Sequence, residues 1–178
     1  GVQDTSAIIT SAAPVSNSDS LRIGKGNVNS PYAGLMDEIR IWSKALSLAE
    51  VNKFRRTSLG VSSGIYSMLA LSLTFQQKES MGTDFTLTDM TMNNGNGRDN
   101  GINAYDQSDR PSVTISPNES LELNGTADFV TGPDNPDVSP VSAVTMEAWI
   151  YPRTVTGAKV IIQKGHSGIN YNLRLNGS

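Results

Sequence analysis

Two short segments hold the residues best suited to chemistry. In Thr145-Met-Glu-Ala-Trp-Ile-Tyr-Pro152, Glu147, Trp149 and Tyr151 recur at every second position, opposite Val144, Met146, Ala148 and Ile150. In residues 35–42, Glu38, Arg40 and Trp42 recur in the same way. Side chains two apart on a strand share a face. Each segment would therefore set flat aromatic rings beside hydrogen-bonding groups, as a concave sheet that binds a sugar or a peptide does. Trp149, Tyr151, Glu147, Trp42 and Arg40 are the candidate ligand-binding residues. A structural account competes with this one, because a Glu147–Arg40 cross-strand pair can simply decorate a sheet and a Trp can be covered by a loop.

Catalytic chemistry has less to stand on. His166 is the only histidine, sits beside Gly165 and Gly168 in an expected hairpin turn, and has no nucleophile that the sequence would place beside it. Asp37 and Glu38 are adjacent, so on a regular strand they point to opposite faces and cannot work as a pair.

The elements that must position these residues follow from periodicity. Leu35, Ile39 and Ile41 alternate with Met36, Glu38, Arg40 and Trp42, a strand pattern in which Asp37 alone breaks the apolar side. Ser47-Leu-Ala-Glu50 then reads as a capping box opening a short helix that carries Leu48, Val51 and Phe54 inward. Lys53, Arg55 and Arg56 are expected at the solvated end of that helix, where cations complement the macrodipole. Helix signal is nearly confined to residues 47–54. Short strand signals recur at residues 7–10, 21–23, 69–75, 113–115, 121–123, 129–130, 144–151, 159–163 and 170–175. Residues 76–110 are rich in Asn, Gly and Asp, which is loop chemistry. Many short strands with turn punctuation predict an all-β, antiparallel two-sheet β-sandwich.

Composition narrows the function. The chain of 178 residues carries 17% charged residues and a net charge of −3 with scattered signs, so it has no electrostatic footprint for nucleic acid. With no cysteine, disulfides and thiolate metal sites are excluded. No apolar run approaches a membrane span, and residues 1–20 lack the basic start and apolar centre of a signal peptide. A secretion signal, if used, is expected to lie outside this stretch.

The run Gly34-Leu-Met-Asp-Glu-Ile-Arg-Ile-Trp42 with Ala45-Leu-Ser47 and Glu50 resembles the closing section of bacterial laminin-G-like, concanavalin-A-like jelly-roll domains. Ser120-Leu-Glu-Leu-Asn-Gly125, residues 128–130, Thr145–Pro152, Ile162-Gln-Lys-Gly165 and Tyr171-Asn-Leu-Arg174 are similar to the opening section of the same family. The order is thus end first and beginning second. It implies a C-terminal section at residues 1–56, a linker at 57–67 and an N-terminal section at 68–178, or else one permuted sandwich over 1–178. In either case the sandwich is incomplete or permuted, because the family's central strands are missing.

From this resemblance follow several expectations. Its implied role is a non-catalytic, extracellular or cell-surface module of a larger repetitive protein, binding glycan or another surface protein in adhesion. The alternative is a structural repeat or filament subunit completed by neighbouring copies; an accessory domain of a secreted glycoside hydrolase ranks third. Hydrolases of this fold carry a Glu-x-Asp-x-x-Glu arrangement that is absent here, so no enzyme is expected. The resemblance also implies a structural calcium held by Asp37 with Asp89, Asn93 and Asn94, since hard cations collect carboxylate and amide oxygens. No nucleic-acid partner and no membrane insertion are expected.

Overall fold

A computed structural model describes residues 17–26, 30–57, 59, 66–74, 78–81, 84–87, 91, 97–100, 105–106, 120–140, 142–165 and 170–177. The strands are β1 (Leu21–Ile23), β2 (Ala33–Trp42), β3 (Leu69–Leu73), β4 (Lys78–Met81), β5 (Asp84–Leu87), β6 (Gly97–Asn100), β7 (Tyr105–Asp106), β8 (Ser120–Asn124), β9 (Phe129–Gly132), β10 (Thr145–Pro152), β11 (Ala158–Lys164) and β12 (Tyr171–Asn176). Among the described residues one α-helix, α1 (Leu48–Phe54), joins them, with 3-10 turns at Tyr66–Met68 and Pro136–Val138. No helix among the described residues is long and apolar enough to cross a membrane.

The strands form an antiparallel two-sheet β-sandwich. One sheet runs β12-β11-β1-β9-β6-β5-β4 and the other β10-β2-β8-β7, with β3 also paired to β2. Early and late strands interleave. β1 lies between β9 and β11, with Leu21 opposite both Gly132 and Lys164. β2 pairs along its length with β10, and on its other side with β8 and β3. Between the layers, Ile23, Met36, Ile39, Ile41, Leu121, Leu123 and Ile162 form one core with at most 1% of any side chain exposed. At about 25 cal/mol per Å² of apolar surface, each contributes roughly 2 kcal/mol.

The alternation expected in β2 is interrupted. Glu147 faces Arg40 and Trp149 faces Asp37, so Glu38 and Ile39 together oppose the single residue Ala148. This is a β-bulge, and Glu38 occupies it with φ +48. The extra residue reverses the phase of the strand. Met36, expected outward, joins the core, while Leu35 and Asp37 fall on the other face with Tyr151 and Trp149. The Asp37 Oδ1 accepts the Glu38 N–H at 2.8 Å, which supports the left-handed backbone locally.

α1 begins as its sequence predicts. The Glu50 N–H donates to Ser47 Oγ at 3.3 Å and the Ser47 N–H to Glu50 Oε2 at 2.7 Å. Its apolar side is narrower than expected. Phe54 is buried, Val51 half-buried and Leu48 67% exposed, because the helix touches the sheet only at its C-terminal end. There the Phe54 ring stacks on Trp42 at 5.2 Å between centroids.

Candidate functional site

The outer face of β2 and β10 is built around Arg40, which is 1% exposed. Its Nη1 donates to the Phe54 carbonyl at 2.8 Å and its Nη2 to the Thr57 carbonyl at 3.0 Å, so a cation satisfies backbone acceptors at the C-terminal end of α1. Glu38 pairs with Nη2 of the same guanidinium, and Glu147 Oε1 lies 3.4 Å from Nη1. Glu147 Oε1 also accepts the Trp42 indole N–H at 3.1 Å. The Trp149 indole N–H donates to the Arg55 carbonyl at 3.0 Å. α1 and the turn behind it therefore roof this face. Burial pushes the Glu38 carboxyl above its ordinary range; Arg40 opposes that shift and the nearby Glu147 charge adds to it.

The roof separates the five candidate ligand-binding residues. Trp42 has no exposed surface and Arg40 almost none, whereas Glu147 and Trp149 are half-buried and Tyr151 is 58% exposed. Arg40, Glu147 and Trp149 converge on one cavity of about 370 Å³, joined there by Glu38 and Arg55. Arg174 also lines it, and its apolar walls include Ile150 of β10 with Leu173 and Leu175 of β12. A cleft of this volume is in the range that holds a small ligand.

Three buried atoms on side chains lining the cavity have no hydrogen-bond partner: Arg40 Nε, Arg55 Nε and Glu147 Oε2. An unpaired buried polar atom costs about 1–3 kcal/mol, so each of these three side chains keeps unused hydrogen-bonding capacity within the wall of the cavity. Arg55, expected as a solvated cation, is the C-cap of α1 and lines the cavity instead. Glu38 was visible in the sequence on the face of Arg40 and Trp42, but the bulge that turns it beneath Arg40 has no signature in residue types.

The cavity opens on one side of the sandwich. β10 ends one sheet and β12 ends the other, with no strand beyond either among the described residues. Because both strands line the same cavity, the two edges border a single opening. β10 accordingly remains half-exposed along its length while its neighbour β2 is buried on both faces.

Of the calcium candidates, Asp37 is 6% exposed and bound to the Glu38 N–H, and Asp89, Asn93 and Asn94 lie outside the described residues, as does His166. No group of three acidic or histidine side chains converges among the described residues.

Residues 1–52 match the family model of the concanavalin A-like lectin/glucanases superfamily, Laminin_G_3, as part of a domain. The matched stretch contains β1, β2 and the capped start of α1. No curated protein and no solved structure matches the chain.

Proposed function

We propose that this chain is a non-catalytic binding module of a larger, repetitive, extracellular surface protein, and that its recognition surface is the opening between β10 and β12. The observation that carries this reading is a single cavity whose lining sets Arg40, Arg55, Glu147 and Arg174 beside Trp149 and apolar side chains. A glycan or a protein segment offers what such a lining takes: hydroxyl or amide groups for the charged side chains, and an apolar face for the walls.

Hydrolysis is the less supported reading of the same residues. Glu38 and Glu147 both approach Arg40, but a glycosidase needs one carboxyl free to reach the leaving oxygen. The Glu38 side chain is 2% exposed and held by Arg40. A second reading, a structural repeat completed by neighbouring copies, is favoured by the two open sheet edges on one side.

Titration of the chain with glycan and peptide libraries, followed by tryptophan fluorescence, tests the recognition surface. Binding that disappears in Trp149→Ala and weakens in Arg55→Ala is expected. A ligand bound equally well by both variants would place recognition elsewhere.

A further inference from the structure

We infer, on the reading that this cavity is the recognition surface, that its ligand is an acidic sugar: a pyranose ring bearing a carboxylate, held by Arg55 and Arg174 beside Trp149. The charges of the lining point there. Three arginines and two glutamates line the cavity. One cation already engages both carboxylates, since Glu38 pairs with Nη2 of Arg40 and Glu147 Oε1 lies 3.4 Å from Nη1. Arg40 is itself buried, and the same two nitrogens also donate to the carbonyls of Phe54 and Thr57. Arg55 and Arg174 have no such counter-charge: neither stands in an ion pair among the described residues. The excess of positive charge thus falls on the two arginines that a ligand can reach, Arg55 half-buried and Arg174 exposed.

The aromatic ring beside them is fixed. The Trp149 indole N–H donates to the Arg55 carbonyl at 3.0 Å, which holds this side chain against the C-cap of α1. A uronate meets both features within one residue. Its C–H face packs on an indole or an aliphatic wall. Its carboxylate, fixed to the ring, accepts the paired N–H groups of a guanidinium fork. A neutral sugar that closed over the cavity would strip water from both cations and return no charge. An acidic peptide supplies the carboxylate on a flexible stem, which loses rotamer freedom on binding and brings no flat face to Trp149.

Isothermal titration of the 178-residue chain with oligomers of galacturonate, hyaluronate and alginate, each beside its methyl ester, tests this assignment. A chelator is present throughout, so that the carboxylate pairs with arginine and not through a metal. At least one acid is expected to bind, and its affinity should fall as salt rises. The ester keeps the ring and hydroxyls and should bind at least about tenfold more weakly. Arg174→Gln, at an exposed position, should keep the parent's thermal midpoint, weaken the acid about tenfold and move the ester far less. Equal affinity for acid and ester, an Arg174→Gln variant that binds the acid as tightly as the parent, an acid whose binding survives Trp149→Ala, or tighter binding of oligoglutamate each overturns the acidic sugar. A neutral glycan or peptide whose binding is lost in Trp149→Ala overturns the acidic sugar alone and leaves the recognition surface standing. A chain that binds no glycan and no peptide ends both readings.

Discussion

The indole N–H of Trp42 donates to Glu147 Oε1 across 3.1 Å, joining residues 105 positions apart in the chain. The bond fastens the outer faces of β2 and β10, and beneath α1 the same indole stacks on Phe54. Trp42→Phe keeps an aromatic ring but removes the donor, and should cost about 1–3 kcal/mol by leaving Glu147 less satisfied. Trp42→Ala also empties a core position and should cost about 3–5 kcal/mol. Denaturant unfolding of the two variants separates these contributions; a Trp42→Phe variant as stable as the parent would mean that the hydrogen bond contributes nothing.

Glu38 sets a pH dependence whose sign is fixed by burial. Its carboxyl is held above the ordinary value of 4.5 in the folded chain, so over a window that begins at 4.5 and extends upward the folded state binds more protons than the unfolded one. Its contribution to stability is fullest below 4.5 and is lost as pH rises through the raised value. Glu38→Gln removes the titration, and its thermal midpoint should vary less over that window than the parent's. An unchanged slope would assign the dependence to another group.

Glu50 acts in the opposite direction. The hydrogen bond from Lys44, with those from Ser47, pulls its carboxyl down to about 2, so the stability it adds is present above 4.5 and is lost as pH falls toward 2. Ser47→Ala removes the N-cap acceptor and should cost about 1 kcal/mol. Hydrogen exchange should quicken in residues 48–54 first. Uniform loss across both sheets would show that α1 is not a separate unit of stability.

Gly34 makes β2 intolerant of any side chain near its start. It adopts φ +140, and a Cβ built there would lie 2.2 Å from the backbone oxygen of Tyr151. Gly34→Ala must therefore force β10 away from β2, adding backbone strain of about 1–3 kcal/mol to the lost pairing. A thermal midpoint within about 2 °C of the parent would contradict this packing.

For the reaction class, incubation with a panel of β-glucans should release no reducing ends, and Glu147→Gln should leave that blank unchanged. Release that vanishes in Glu147→Gln would replace the binding reading with hydrolysis.

Much of this architecture was legible because local rules carried it. The alternation of Met146, Ala148 and Ile150 against Glu147, Trp149 and Tyr151 marked both faces of β10, and Ser47 with Glu50 marked the helix start. The phase reversal at Glu38 was not legible, since a non-glycine bulge depends on what the partner strand presents. Nor was the burial of Trp42 and Arg40, which comes from α1 folding back over them; pattern within β2 records only that the face is mixed. Leu48 misled for the same reason, because helical spacing gives a face but not where the helix meets its neighbour. The expected calcium oxygens at Asp89, Asn93 and Asn94 fall outside the described residues.

Burial of β2 on both faces bears on how the chain can vary. An ordinary outer-layer strand tolerates exchange at every second residue, and β10, with its half-exposed outer side, should follow that rhythm. β2 has no solvent-facing position after Ala33, so substitutions along it should be rejected without any two-residue rhythm. Among divergent copies of such a chain, drift would concentrate in the loops and along β10, while residues 34–42 would change slowly and as a block.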